Sequence, residues 1–316
     1  MHSAFHPASP EARAVAHLWW WMFGVGGAVW IGVIIAMLVS VRAKRGAQGS
    51  DGLAQISADA QRGTQRAVAG ATFITVLILL GFLAFDFTVG RALARHPARA
   101  LTIEIVGHQW WWEAQYVDSN PSKRVATANE IHVPVGEPVQ LKLSSTDVIH
   151  SFWAPNLNGK RDLIPGYVTT QWFTADTAGR YRGQCAEFCG LQHAKMALDI
   201  VAEPRSKFVD WLAAASAPPA PLADSTQLSG QRVFMSGGCA VCHSIGGTDA
   251  RASVGPTLSH LKSRATIAAG TLANTRENLT RWIANPQAIK PGAHMPASPL
   301  TTVQLSALVA FLETLK

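Results

Sequence analysis

The sequence predicts a multidomain chain in three parts: a two-helix transmembrane hairpin, an antiparallel β-sandwich, and a small all-α module. Three observations carry this. Two long uncharged apolar runs occupy the first hundred residues, alternating apolar and polar residues follow from Leu101, and helical periodicity with caps returns near Ser225. At 316 residues the chain is too long for one ordinary core. The expected division is an N-terminal tail and hairpin over 1–100, with helices about 17–41 and 67–89; a strand module over 101–211; a linker over 212–224; and a helical module over 225–316.

The runs Leu18–Val41 and Ala67–Phe85 carry no charge, and the first opens on Trp19, Trp20 and Trp21. Crossing a hydrocarbon core of about 30 Å takes roughly 20 helical residues, so each run suffices. The first is too long for the apolar stretch of a signal peptide. Arg42, Lys44, Arg45, Arg62 and Arg66 lie between the runs, whereas the preceding tail holds only Arg13. The positive-inside rule places that loop in the cytoplasm and the rest outside. Arg91, Arg95 and Arg99 oppose this, but long translocated domains respond weakly to local charge.

The formal net charge of +7 is unevenly spread. Residues 101–210 hold ten Lys/Arg against twelve Asp/Glu, and residues 225–316 hold eight against three. Much of the remaining basic charge flanks apolar segments, a distribution that speaks against nucleic-acid binding. Opposite signs on the two modules predict that they attract one another, more strongly at low salt.

In the strand module, Ile103-Glu104-Ile105, Glu130-Ile131-His132-Val133 and Val139-Gln140-Leu141-Lys142-Leu143 alternate with a period of two. Pro134, Gly136 and Pro138 mark turns. The chemistry collects in Cys185-Ala-Glu-Phe-Cys189-Gly-Leu-Gln-His193-Ala-Lys-Met196, with His150 upstream. Two thiols and two imidazoles would satisfy a structural zinc ion. Met196 adds nothing to zinc, but a weak thioether tunes copper. A mononuclear blue copper site needs one Cys, whereas two let a pair of copper ions share bridging thiolates.

Taken with Asp147-Val-Ile-His-Ser-Phe-Trp153 and Lys160-Arg-Asp-Leu-Ile-Pro-Gly166, this run resembles cytochrome c oxidase subunit II over roughly residues 15–210. The resemblance implies a cupredoxin-like fold and a binuclear copper centre, CuA. Its implied ligands are His150, Cys185, Cys189, His193, Met196 and the carbonyl of Glu187, whose side chain is also a possible Mg/Mn ligand shared with subunit I. In Gly107-His-Gln-Trp-Trp-Trp-Glu113 it implies that Trp110 marks where electrons enter above the copper. The alternative is that the three Trp simply pack the module. The family often places a Glu near the start of the second helix to feed a proton path. Gln61–Thr72 has none, so no proton-path residue is assigned.

Leu212–Asp224 is rich in Ala, Ser and Pro, which gives an extended, semi-rigid linker. Cys239-Ala-Val-Cys242-His243 then matches the covalent haem attachment signature, with His243 as proximal iron ligand. Met295, in the loop Pro291-Gly-Ala-His-Met-Pro296, suits the distal iron position, and His294 is its rival. Helices are expected over Thr226–Ser236, over Thr275–Ala284 with a Thr cap, and over Thr301–Leu315 with a Thr-x-x-Gln capping box. The module resembles a class I cytochrome c, and Ala269–Leu279 resembles the cytochrome domains fused to bacterial oxidases. That implies haem c.

The combined resemblance, to a caa-type haem-copper oxidase, implies a respiratory electron-transport role in a bacterial plasma membrane, with both soluble modules on the periplasmic side. Electrons from a cytochrome or a bc-type complex would pass through haem c and CuA to subunit I, where oxygen is reduced with proton translocation. Implied partners are subunit I, other oxidase subunits and the lipid bilayer. Three alternatives have specific tests in the residues. A free membrane-anchored carrier would need one helix, not two. A copper-delivery protein would not need the haem signature. A quinol oxidase subunit would lack the copper ligands.

Overall fold

The computed structural model describes residues 3–46, 58–94, 97, 99–118, 120, 124–222 and 224–316. They form two compact units, one of residues 13–95 and one of residues 1–12 with 96–316.

The first unit holds most of α1 (Pro10–Gly46) and all of α2 (Ala58–Leu93), each longer than the apolar run inside it. Polar ends rich in Ala, Arg and Gln continue the helices, because straight-chain residues lose little rotamer freedom there. Asp59 opens α2 and pairs with Arg62 at 2.9 Å. The stretches Pro10–Arg42 and Gln61–Arg91 are long and apolar enough to cross a membrane, and their apolar windows are not buried within the chain. Trp20, Trp30, Phe73 and Leu83 all stand exposed. A helix apolar on every side suits lipid rather than water. Arg95 lies outside the described residues.

The second unit opens with two five-stranded sheets. One runs in the order β3 (Val125–Ala128), β2 (Trp111–Tyr116), β1 (Leu101–His108), β5 (Pro138–Ser145), β8 (Thr169–Thr174). The other runs β4 (Glu130–Pro134), β10 (Ala197–Glu203), β9 (Gly179–Cys185), β6 (His150–Trp153), β7 (Arg161–Leu163). Strand alternation builds the core. Ile103 and Ile105 of β1 and Val139, Leu141 and Leu143 of β5 are all fully buried, and the residues between them are not. Two pairings are parallel, β1 with β5 and β4 with β10, where the sequence suggested only antiparallel ones. The chain changes sheet at Asn129, which takes a left-handed φ of 59° that Asn tolerates better than most residues. Its side-chain oxygen accepts from Trp112 N, and its carbonyl from Asp199 N, so the crossover is held on both sides.

After β10 comes α3 (Arg205–Ser216), so Leu212–Ser216, expected in the linker, complete a helix instead. Phe208 is buried and Trp211 stacks on His132 at 4.2 Å, which draws the Ala-rich turn onto the sandwich.

The C-terminal module contains α4 (Ser225–Ser236), a two-strand ribbon of β11 (Thr266–Ile267) and β12 (Leu272–Ala273), α5 (Arg276–Ala284) and α6 (Thr302–Leu312). The caps follow the sequence. Thr275 accepts from Asn278 N, and Thr301 forms the capping box with Gln304. Asp224 caps α4 through Gln227 N. Helices α4 and α6 cross at Gly230, where a Cβ would lie 2.0 Å from the Ala307 carbonyl oxygen. Phe234 and Phe311 pack beside that crossing.

Candidate metal centre and haem cavity

The sulfur cluster sits where three strands meet. His150 begins β6, Cys185 ends β9, and Met196 immediately precedes β10. Phe152 pairs with Cys185 in the sheet, and Cys185 N donates to Met196 O at 2.9 Å. The loop between β9 and β10 is therefore pinned at its base, and it carries Cys189 and His193 back over the end of the sheet.

The side chains converge. Cys185 Sγ lies 3.7 Å from Cys189 Sγ and 3.9 Å from His150 Nδ1. Cys189 Sγ lies 3.6 Å from His193 Nδ1 and 3.8 Å from Met196 Sδ. The Glu187 carbonyl is 3.1 Å from Cys185 Sγ. His150, Cys185 and Cys189 are compact enough to hold a metal ion. This donor set, with soft sulfur and imidazole in a buried pocket, fits copper. Cys185 is driven toward the thiolate, first because Cys189 donates its S–H and then through His150, and Cys189 is correspondingly driven toward the thiol.

Two residues that the sequence did not single out orient this cluster. Asp147 accepts from His150 Nε2 at 2.8 Å, leaving Nδ1 toward the sulfurs, the outer-shell arrangement that fixes a ligand's tautomer. Burial alone would raise the Asp147 carboxyl, but bonds from His150, Val148 N and Gln109 N outweigh it and hold it low. Gly107 of β1 passes so close that a Cβ there would lie 2.8 Å from His150 Cδ2. The Glu187 carboxylate does not join the cluster. It pairs with Lys160 at 3.1 Å, and both groups are about half exposed.

Of the three Trp, Trp112 is buried in the sandwich core and Trp111 stacks on His108 at 4.2 Å. Trp110 is only 7 % exposed. Its Nε1 donates to Cys189 O at 2.9 Å, and its ring lies 5.2 Å from that of His294. Trp110, expected to mark where electrons enter above the copper, faces the C-terminal module of the same chain.

That module carries an open cleft of about 350 Å³. Cys239, Cys242, His243 and Met295 line it, among apolar side chains such as Phe234, Leu279, Trp282 and Leu308. The thiols are free, as attachment to a haem would require. His243 Nδ1 donates to Pro256 O at 2.7 Å, which turns Nε2 to the other side as the free ligand atom. Burial also lowers the His243 pKa, favouring the neutral imidazole that binds iron. Gly255 leaves room for this ring, since a Cβ there would lie 2.7 Å from His243 Cε1. Arg264 is buried at the cleft with its Nε unpartnered, a donor suited to an anionic edge of a cofactor. The residues present fit haem c. Gln109, Trp110 and Trp111 of the sandwich also line the cleft, so the two centres share a wall.

Comparison with known proteins identifies two domains in the chain. Residues 120–203 match the family described as cytochrome c oxidase subunit II, periplasmic domain, and residues 228–316 match cytochrome c. Cytochrome c oxidase subunit 2 of Alkalihalophilus pseudofirmus is 38% identical over 215 residues, covering 68% of this chain and 61% of that protein. The same subunit of Bacillus sp. PS3 is 31% identical over 234 residues, covering 70% and 64%. The chain thus spans somewhat under two thirds of the length of these relatives. The solved periplasmic domain of subunit II of cytochrome oxidase from Bradyrhizobium japonicum is 32% identical, with a TM-score of 0.36, and the match covers 38% of this chain and 95% of that one. The first family implies copper and the second haem. The chain therefore holds a domain of the cytochrome c oxidase subunit II family followed by a cytochrome c domain.

Proposed function

We propose that this chain is the electron-input subunit of a respiratory cytochrome c oxidase. A cytochrome or bc-type donor reduces haem c in residues 225–316. The electron moves to CuA in residues 101–211 and leaves for the haem-copper centre of subunit I, where oxygen becomes water and protons are translocated. Helices within residues 1–100 anchor the chain in the bacterial plasma membrane, with both soluble modules on the periplasmic side and other oxidase subunits around them. Residues 217–224, after α3, serve as the linker.

One observation carries this reading. Trp110 touches both centres, donating to the backbone of Cys189 and meeting His294 beside Met295. Haem c and a copper pair, when bound, would supply one-electron exchange that needs no bond made or broken in the protein. The residues hold geometry. Cys239 and Cys242 attach the haem, and His243 and Met295 ligate its iron. His150, Cys185, Cys189, His193, Met196 and the Glu187 carbonyl hold the copper pair. Strand ends and the Asp147 bond resist movement of the copper ligands as charge changes. Trp110 is the contact through which electrons enter the copper module. A Mg/Mn ion at the Glu187 carboxylate would have to displace Lys160.

Optical and EPR spectra of the purified complex, with a metal count per chain, test the assignment. The expected result is near-infrared copper absorption, a multi-line mixed-valence copper signal, haem c in the same chain, and haem bands of an associated subunit I. Haem c with zinc, or with a mononuclear copper, would leave only a membrane-anchored cytochrome.

A further inference from the structure

Lys290 is buried to 3 % exposure in the loop that leads to Met295, yet no carboxylate is bonded to its ammonium among the described residues. Three carbonyl oxygens surround it instead. Nζ donates to Trp110 O at 3.1 Å, to Lys195 O at 2.9 Å and to Ala268 O at 3.3 Å. The first belongs to the residue that contacts both centres. The second immediately precedes Met196. The third belongs to the haem module. Burial, helped by the charge of Lys195, lowers the lysine pKa to about 8, so the ammonium form still predominates at neutral pH.

The segment that supplies the third oxygen is itself unusual. Ala268, Ala269 and Gly270 all take left-handed φ values of 53°, 56° and 72°. For each alanine that conformation is disfavoured, because Cβ crowds the following carbonyl oxygen. Such strain persists only where surrounding contacts over-determine the backbone. Here the contacts are cross-module bonds, in which Ala269 O accepts from Ala197 N and Gly270 O from Arg182 Nη1. Lys195 Nζ and Gln192 Nε2, from the copper loop, donate to Ile289 O and Pro291 O on either side of Lys290.

We propose that Lys290 is a positioning residue for electron transfer between the two centres: it locks the Met295 loop onto the Trp110 and Met196 segments and so holds His294 against Trp110. This rests on the oxidase reading above. Neutral amine or amide donors could satisfy one or two of the carbonyls. An ammonium directs three N–H groups at once, and its charge strengthens each bond. The junction is set by main-chain oxygens at fixed positions, not by flexible ion pairs, and internal transfer does not wait on diffusive docking.

The test uses the assembled oxidase carrying Lys290→Met or, as the milder change, Lys290→Gln. Haem c is reduced by a flash-activated ruthenium complex and CuA reduction is followed at its near-infrared band. In the unaltered complex the internal rate should be independent of viscosity and of salt. Both variants should keep the haem c and CuA spectra, slow the internal rate at least ten-fold, and make it depend on viscosity. Lys290→Arg, which keeps the charge and the donors, should recover part of the rate. Hydrogen exchange at the Ala197 amide should rise in the slow variants. Unchanged internal rates in both variants would overturn the proposal, as would loss of either spectrum in both, which would make the role structural. Absence of the CuA or haem c spectrum from the unaltered complex would instead overturn the oxidase reading itself.

Discussion

The two candidate centres are built in opposite ways. At the copper site the donors already touch. Five side chains are linked by contacts of 3.9 Å or less, backed by strand pairing and by Asp147. In the haem module the ligands line a cleft whose apolar walls, Phe234, Leu279 and Leu308 among them, belong to the module's own core cluster. A core packed only on one side forfeits much of its dispersion and burial energy. The copper module is therefore expected to fold before its metal binds, whereas the short module over residues 225–316 is expected to need haem as part of its core.

The largest expected effect separates these cases directly. Replacing Cys239 and Cys242 by Ser should block haem attachment and abolish the cooperative thermal transition of residues 225–316, seen as rapid proteolysis confined to that region. Replacing Cys185 and Cys189 by Ser should leave residues 101–203 protease-resistant. Loss of the ligand's linkage energy there should cost about 3–4 kcal/mol, the amount for a ligand present at a hundred to a thousand times its dissociation constant. A haem module that stays resistant without haem would break the contrast.

Much of this difference was legible in the residues. The C-x3-C-x3-H-x2-M run, the C-x-x-C-H motif and the Met-Pro loop are local patterns whose spacing reflects ligand geometry. The Thr301 capping box was legible for the same reason, since cap and partner are three residues apart. What stayed hidden depends on distance along the chain. Lys290 reads as an ordinary solvated loop lysine, because its partners are backbone oxygens 180, 95 and 22 residues away. The parallel pairings of β1 with β5 and β4 with β10 leave no trace in alternation, which is the same for either direction. Opposite net charges suggested that the two modules attract one another, more strongly at low salt. Among the described residues, the bonds that join the modules run to carbonyl oxygens and to one buried carboxylate, Glu130.

Two glycines sharpen the comparison at the next scale. Gly230→Val would drive a branched side chain into the Ala307 carbonyl at the α4–α6 crossing. Backbone on both sides cannot yield cheaply, so a cost of about 3 kcal/mol or more is expected, read as a lower denaturation midpoint for the haem module. Gly107→Ala meets the His150 ring, which can tilt, so about 1–3 kcal/mol is expected. Its clearer signature should be a changed copper EPR spectrum at nearly full copper content. An unaltered copper spectrum would mean that the ring has more freedom than its Asp147 bond implies.

Glu130 belongs to the copper module but serves both regions, and its acid response is the finest probe of their junction. Burial alone would raise its pKa. Bonds from His132, from Arg180 and from Ala265 N of the haem module outweigh burial and hold it at about 2, below the usual 4.5. A carboxyl depressed on folding stabilises above its unfolded pKa, and that stability is lost as pH falls toward the folded value. The window is therefore about pH 4.5 down to 2. The shift corresponds to roughly 3 kcal/mol by the usual conversion, and the partly exposed Arg180 reduces that to about 2 kcal/mol. Denaturant titrations at several pH values should show the unaltered chain losing this increment on acidification. Glu130→Gln should start lower at neutral pH by a similar amount and show a flatter acid profile. Because Ala265 N loses a charged acceptor, the variant should also raise exchange at that amide while leaving Asn278 N, capped within its own module, protected. Equal acid slopes in the two proteins would show that Glu130 is not the ionised link between them, leaving the carbonyl bonds to hold the junction alone.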